Sequence, residues 1–239
     1  MPAERRVLAM LAPRLADLEM LDLGVGAGRT GWTYAPLVRR YVGVDYSPRM
    51  IERARLLLGE GDTVELIEAD ARDLRAVPGQ FDFVLFSFNG IDAVGPEDRL
   101  LVLAEVRRLL RAGGHFQFST HSIGALPLDL HAERPPRGGR SRLYDLYTAF
   151  ADLAYARRIR RINARLDLAA ARERGWVIVP ERGHFKIDDY YVDPSYQVRQ
   201  LQDAGFEVEA IFDRAGREVT LPFDGDDAWL DYLCTPLPD

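Results

Sequence analysis

Leu21-Asp22-Leu23-Gly24-Val25-Gly26-Ala27-Gly28-Arg29-Thr30 is the stretch that decides the fold. A short apolar strand, Met20 to Leu23, runs through G-x-G-x-G into a helix expected from about Thr30 to Arg39. Glycine serves such a turn in two ways. It accepts φ > 0, and it lets the backbone approach a nucleotide-like ligand with no Cβ in between. Tight strand-to-helix turns favour glycine for structural reasons too, so the loop gains its weight from its surroundings.

Working outward, short apolar runs alternate with helix-period segments. That is the pattern of an α/β, doubly wound parallel sheet covered on both faces. Tyr41 to Val44 reads as the second strand. Ser47-Pro48 supplies an N-cap and a first-turn proline to a helix with Met50, Ile51, Ala54 and Leu57 on one face. Val64 to Ile67 is the third strand and the nearly all-apolar Phe81–Phe86 a central fourth. A helix from about Pro96 to Leu110 repeats Leu100, Leu103, Val106 and Leu110 and ends at Gly113-Gly114, before a fifth strand His115 to Thr120. The pattern resumes with a helix from Pro194 to Ala204, a strand Phe206 to Phe212 and a last strand Trp229 to Cys234.

Residues 122–193 break the alternation and read as an insertion within a single domain, 1–239. They hold a loop, Pro135-Pro136-Arg137-Gly138-Gly139, and a long helical stretch. As one helix of about 30 residues that stretch would reach ~45 Å, so a break is expected. The strands Trp176 to Val179 and His184 to Val192 follow, joined by the turn Glu181-Arg182-Gly183.

The hydrophobic share of 47% and charged share of 28% exclude global disorder. There is no apolar run long enough for a membrane span, and the first residues lack a secretory-signal pattern. Cys234 is the only cysteine, which excludes a disulfide framework and a multi-cysteine metal site; no metal is expected, and the setting reads as cytoplasmic. The net charge of −6 argues against nucleic acid as a partner, yet residues 131–174 hold eleven arginines against five acids.

Two acids strengthen the glycine loop. Asp45 ends the second strand 21 residues after Gly24, where a doubly wound fold sets an acid beside ribose hydroxyls. Asp70 follows the third strand on the same carboxyl edge, within reach of an adenine ring. A dinucleotide fingerprint would want a glycine at position 29, which is Arg29.

In these residues the chain resembles the class I S-adenosylmethionine-dependent methyltransferases. Leu21–Gly28 is similar to the family's first motif, Val44-Asp45-Tyr46-Ser47 to its ribose-binding acid, and Asp70-Ala71 to its adenine motif. Phe81–Phe86 with Ser87-Phe88-Asn89-Gly90 resembles the fourth-strand motif beside which the methyl group is presented. Leu109–Phe118 and Leu201–Phe212 resemble the later helix–strand units. The resemblance implies a seven-stranded sheet in the order 3-2-1-4-5-7-6 with the last strand antiparallel. It also implies S-adenosylmethionine as cofactor and S-adenosylhomocysteine as product. The cofactor-binding set it implies is Asp22, Gly24, Val25, Gly26, Gly28, Asp45, Tyr46, Met50, Asp70, Ala71, Arg72, Ser87, Phe88 and Asn89.

The candidate catalytic residues near the methyl group are His121, Asn89 and Tyr191, with Asp92, His184, Tyr190 and Tyr147 facing a substrate. A histidine titrates near neutrality and accepts a proton there. Tyr190 and Tyr191 alternate on a strand, so one is expected inward and the other in packing or on the surface. The implied activity is N- or O-methylation of a small molecule, with 122–193 as a lid. Two alternatives stand beside it: an RNA methyltransferase using the Arg-rich segment, and a domain that binds cofactor without transferring a methyl group. Arg157, Arg158, Arg160, Arg161 and Arg165 all miss the apolar helix positions, which also fits a solvated outer face. Oligomeric state is not written in the sequence.

Overall fold

The computed structural model describes residues 1–128, 142–180, 187–223 and 225–238, with 142–152 described by backbone only. The Pro135–Gly139 loop, the Glu181-Arg182-Gly183 turn and His184 lie outside the described residues, as does the Tyr147 side chain.

Five parallel strands form the left and centre of the sheet: β1 (Glu19–Leu23), β2 (Arg40–Asp45), β3 (Val64–Glu68), β4 (Phe81–Phe86) and β5 (Leu110–Ser122). The insertion contributes β6 (Trp176–Pro180) and β7 (Asp188–Val192); β8 (Phe206–Phe212) and β9 (Trp229–Pro236) close the chain. β9 lies antiparallel between β5 and β8. The order β3-β2-β1-β4-β5-β9-β8 is thus the expected seven-stranded arrangement, with the chain's last strand antiparallel.

One pairing goes beyond that arrangement. β7 adds parallel to the final residues of β5, His121 against Tyr191 and Ser122 against Val192. His121 already pairs with Trp229 of β9 on its other side. β7 therefore occupies the side that β4 holds lower down, where pairing ends at Phe86 and Phe118. The β6–β7 hairpin continues the line of β4 beyond its carboxyl end, over the rim where a doubly wound sheet binds ligands.

Helices cover both faces. α1 (Pro2–Leu11), α2 (Arg29–Tyr34) and α3 (Pro48–Leu58) bury Ala3, Val7, Leu11, Tyr34, Ile51 and Ala54 on one side. α4 (Pro96–Leu109) and α7 (Pro194–Asp203) bury Val102, Leu103, Val106, Leu109 and Leu201 on the other. Several readings are corrected here. Leu100 and Leu57 are exposed, so α4 turns its 102/103/106/109 stripe inward and α3 only Ile51 and Ala54. α4 ends at Leu109, because Leu110 is already extended with ψ 131, and Gly113-Gly114 belong to β5. Ser47 sits at the α3 N-cap position but its side chain makes no cap bond.

The long helical stretch does break. α5 (Arg142–Asn163) stops before α6 (Leu168–Arg174), whose first turn Asp167 caps by accepting from the Ala170 N–H at 3.0 Å. The insertion has its own small core, in which Ile159 of α5, Ala171 of α6 and Val179 of β6 meet Ile123, Leu126, Leu128 and Tyr191. Arg157, Arg158, Arg160, Arg161 and Arg165 are all exposed. Among the described residues no helix is long and apolar enough to cross a membrane.

Candidate active site

The glycine loop has the backbone that only glycine adopts easily. Gly24, Gly26 and Gly28 have φ of 65°, 55° and 94°. A Cβ on Gly24 would lie 2.9 Å from the Phe86 ring, whereas one on Gly26 would meet only the Gly24 carbonyl, at 3.9 Å. The loop is packed behind and open in front. Asp22 braces it from below: fully buried, it accepts from Thr30 at the start of α2 and from the Tyr41 hydroxyl at 2.5 Å. Burial pushes its carboxyl up to about 6 despite those two bonds. Asp22 and Val25 are thus buried supports of the loop, and the cofactor set expected from sequence includes two residues with almost no surface.

Asp45 ties the second strand to the loop. One carboxylate oxygen accepts from the Gly26 N–H and the other from the Ser47 N–H, both at 2.9 Å. Tyr46 beside it is 77% exposed and Met50 half-buried. At the next strand end, Arg72 grips Asp70 with a two-pronged fork at 2.9 and 2.6 Å and reaches Asp98 at 2.7 Å. That fork holds the Asp70 carboxyl below its usual value. Ala71 is half-buried against the core beneath.

The turn after β4 is strained. Phe88 and Asn89 are non-glycine residues with φ of 56° and 57°, a conformation that costs roughly 1–3 kcal/mol each and recurs at functional sites. Gly90 follows because a Cβ there would sit 2.2 Å from the Phe86 ring. Asn89 is held by its N–H to the Ser119 hydroxyl at 2.8 Å, while Phe88 is left 65% exposed.

His121 sits at the end of β5 beside this turn, its side chain 16% exposed. Its Nδ1 lies 2.8 Å from Asp92 and its Nε2 3.2 Å from the Asn89 amide nitrogen. A carboxylate can only accept, so Nδ1 carries a proton toward Asp92, and Nε2 faces the Asn89 amide. Tyr191 stacks on the His121 ring at 4.8 Å and Trp229 meets it edge-on at 6.3 Å, with Phe88 6.2 Å from Trp229.

The expected site residues Asn89, Asp92, His121, Tyr190 and Tyr191 do come together, with altered positions for three. Asp92 has no exposed surface and supports His121 from behind. Tyr190 and Tyr191 are both buried, because β7 is covered on both faces; neither is at the surface. The sequence reading missed Arg99, which ion-pairs with Asp92, and Glu4 of α1. Glu4 accepts from the Ser87 hydroxyl and, at 3.5 Å, from Arg29. Burial opposes ionisation of Glu4, but hydrogen bonds from the N-terminal ammonium and Ser87, with the Arg29 charge, lower its pKa. Neither residue carries a local motif; both act across more than eighty positions or through tertiary packing.

Residues 20–114, from β1 into β5, match the family model for a methyltransferase domain. The demethylmenaquinone methyltransferase of Clavibacter sepedonicus is 33% identical over 114 residues, 48% of this chain and 45% of that protein. The carboxy-S-adenosyl-L-methionine synthase of Erwinia tasmaniensis is 30% identical over 153 residues, 57% of this chain and 61% of that protein. The chain spans about half the length of the curated relatives it matches. An S-adenosylmethionine-dependent methyltransferase from Clostridium acetobutylicum superposes with a TM-score of 0.66 at 15% identity, over 99% of this chain and 92% of its own. Residues 20–114 thus match the family model of a methyltransferase domain, and the whole chain has the fold of the class I S-adenosylmethionine-dependent methyltransferases.

Proposed function

We propose that this chain transfers a methyl group from S-adenosylmethionine to a hydroxyl of a small-molecule acceptor, with His121 as proton acceptor and 122–193 as the cover of the site. The observation that carries the reading is the Asp92–His121 pair, 2.8 Å apart at the carboxyl edge of β5. A base at that edge suits a hydroxyl, which must lose a proton, better than an amine already carrying a free lone pair.

The residues present fit the cofactor. Gly26 leaves an open cradle, since a side chain there would meet nothing nearer than 3.9 Å. Asp45 has used one backbone N–H on each oxygen and keeps accepting capacity for ribose hydroxyls. In this reading Gly24, Gly26 and Gly28 hold the cofactor's centre, with Tyr46 and Met50 flanking the ribose. Asp70, Ala71 and Arg72 lie toward the adenine, and Ser87, Phe88 and Asn89 toward the methionine end. When bound, the cofactor supplies an electrophilic methyl group on a sulfonium.

The chain's own work is to bind, orient, exclude water and move one proton. Orientation of two reactants supplies up to about 7–11 kcal/mol. The acceptor hydroxyl takes the place of the Asn89 amide at His121 Nε2 and gives up its proton there, while Asp92 holds the Nδ1–H and so keeps Nε2 turned to the acceptor. Phe88, Trp229 and Tyr191 keep the acceptor side apolar. The demethylmenaquinone methyltransferase likeness supports a small acceptor, and the exposed arginines of α5 fit a solvated face or an attraction for anions.

S-adenosylhomocysteine release, measured with small hydroxyl acceptors, small amines and RNA offered separately, tests this. Turnover on a hydroxyl that falls about 10²–10⁴-fold in His121→Gln supports it. Turnover only on amines or RNA, or a fully active His121→Gln, overturns it.

A further inference from the structure

We propose that Arg99 is a positioning residue for this reaction, working through Asp92 to keep His121 neutral and in the Nδ1–H form, with the Nε2 lone pair turned to the acceptor. The inference rests on the reading of His121 as proton acceptor.

Arg99 lies on α4 with no exposed surface. Its guanidinium donates to Asp92 Oδ1 at 2.7 Å, to the Ile91 carbonyl at 3.1 Å, to Thr120 Oγ1 at 3.3 Å and to Gln197 Oε1 at 2.7 Å. Tyr190 of the insertion packs its ring 4.4 Å from the guanidinium carbon. A point charge such as lysine cannot serve four acceptors in one plane; a fork can.

Asp92 is saturated in turn. Oδ1 accepts from Arg99 and from the Thr120 hydroxyl at 2.5 Å, and Oδ2 from the His121 N–H at 2.7 Å and Nδ1 at 2.8 Å. A lone buried carboxylate beside an imidazole would draw a proton onto the ring. Paired with Arg99 it is electrically compensated: it orients His121 without charging it. The other charged or titratable groups around the ring are Tyr191, stacked on it from β7, and Arg214, 4.2 Å from the Trp229 ring of β9. Glu4 of α1 is turned to Ser87 and Arg29. Arg99 is the cation paired with the carboxylate that holds Nδ1.

The test uses the full chain carrying Arg99→Met, with the nitrogen resonances of the His121 ring, assigned through His121→Gln, followed against pH. The wild type should show one Nδ1–H tautomer. In Arg99→Met the His121 midpoint should rise by about one pH unit or more, taking the acid limb of the kcat profile with it, while cofactor affinity stays within about twofold. An unchanged midpoint and tautomer, with only Tm lowered, would overturn the proposal. Should Arg99→Met not fold, Arg99→Lys keeps the charge and loses the fork. It should then show mixed tautomers and a lower kcat at nearly constant KM, and a single wild-type tautomer with wild-type kcat would overturn the proposal equally. A fully active His121→Gln would remove the proton-acceptor role itself yet leave the nuclear resonance result on Arg99 standing, so the two failures are distinguishable.

Discussion

Asp231 has the environment least suited to its charge. It is buried on β9 beside Gln117, whose amide donates to one of its oxygens at 3.4 Å. Burial, aided by the nearby Glu4 charge, pushes its carboxyl up to about 7. A folded-state pKa above the unfolded value means that the folded protein binds the proton more tightly. Stability is therefore lost as pH rises from about 4 to about 7, and the whole loss is present above that window. Asp231→Asn removes this dependence, about 4 kcal/mol at most, and its amide can donate to the Gln117 carbonyl oxygen. Its Tm should exceed the wild type's at pH 8 and approach it near pH 3.5, below the unfolded-state pKa; the same Tm difference at both pH values would contradict this. At this scale the sequence was legible where backbone conformation restricts residue choice, as at Gly24, Gly26 and Gly28. It was opaque at Arg99 and Glu4, which look like ordinary helix charges until packing buries them.

Strands were the most legible elements, because burial on both faces leaves a nearly continuous apolar run such as Phe81–Phe86, broken only by Asp82. Helix ends were less so. Gly113-Gly114 look like a stop signal, yet Leu110 turns extended first because it already pairs with Phe81. The pairing of β7 with β5 was not legible, since nothing local in Tyr190-Tyr191 says which strand end it will join. That hairpin is held by the insertion's own core, centred on the fully buried Ile159. Ile159→Ala should cost about 2–4 kcal/mol of packing. Hydrogen exchange should speed up in α5, α6 and β6 and remain slow in β1 to β4. Equal acceleration in the central strands would mean that insertion and sheet unfold as one unit.

For the whole molecule, the residues alone gave a doubly wound sheet with a C-terminal hairpin and the seven-strand order came from the family resemblance, while the acceptor side depended on contacts between residues far apart in sequence. The central claim is that the glycine loop and Asp45 together hold S-adenosylmethionine. Calorimetric titration with S-adenosylhomocysteine of the wild type, Asp45→Ala and Gly26→Val tests it most directly. Saturable one-site binding is predicted for the wild type. Asp45→Ala should bind at least tenfold more weakly, a change of about 1.4 kcal/mol, and Gly26→Val should show no binding, because its side chain fills the cradle and resists a φ of 55°. Equal affinity in all three proteins, or none in the wild type, would contradict the account.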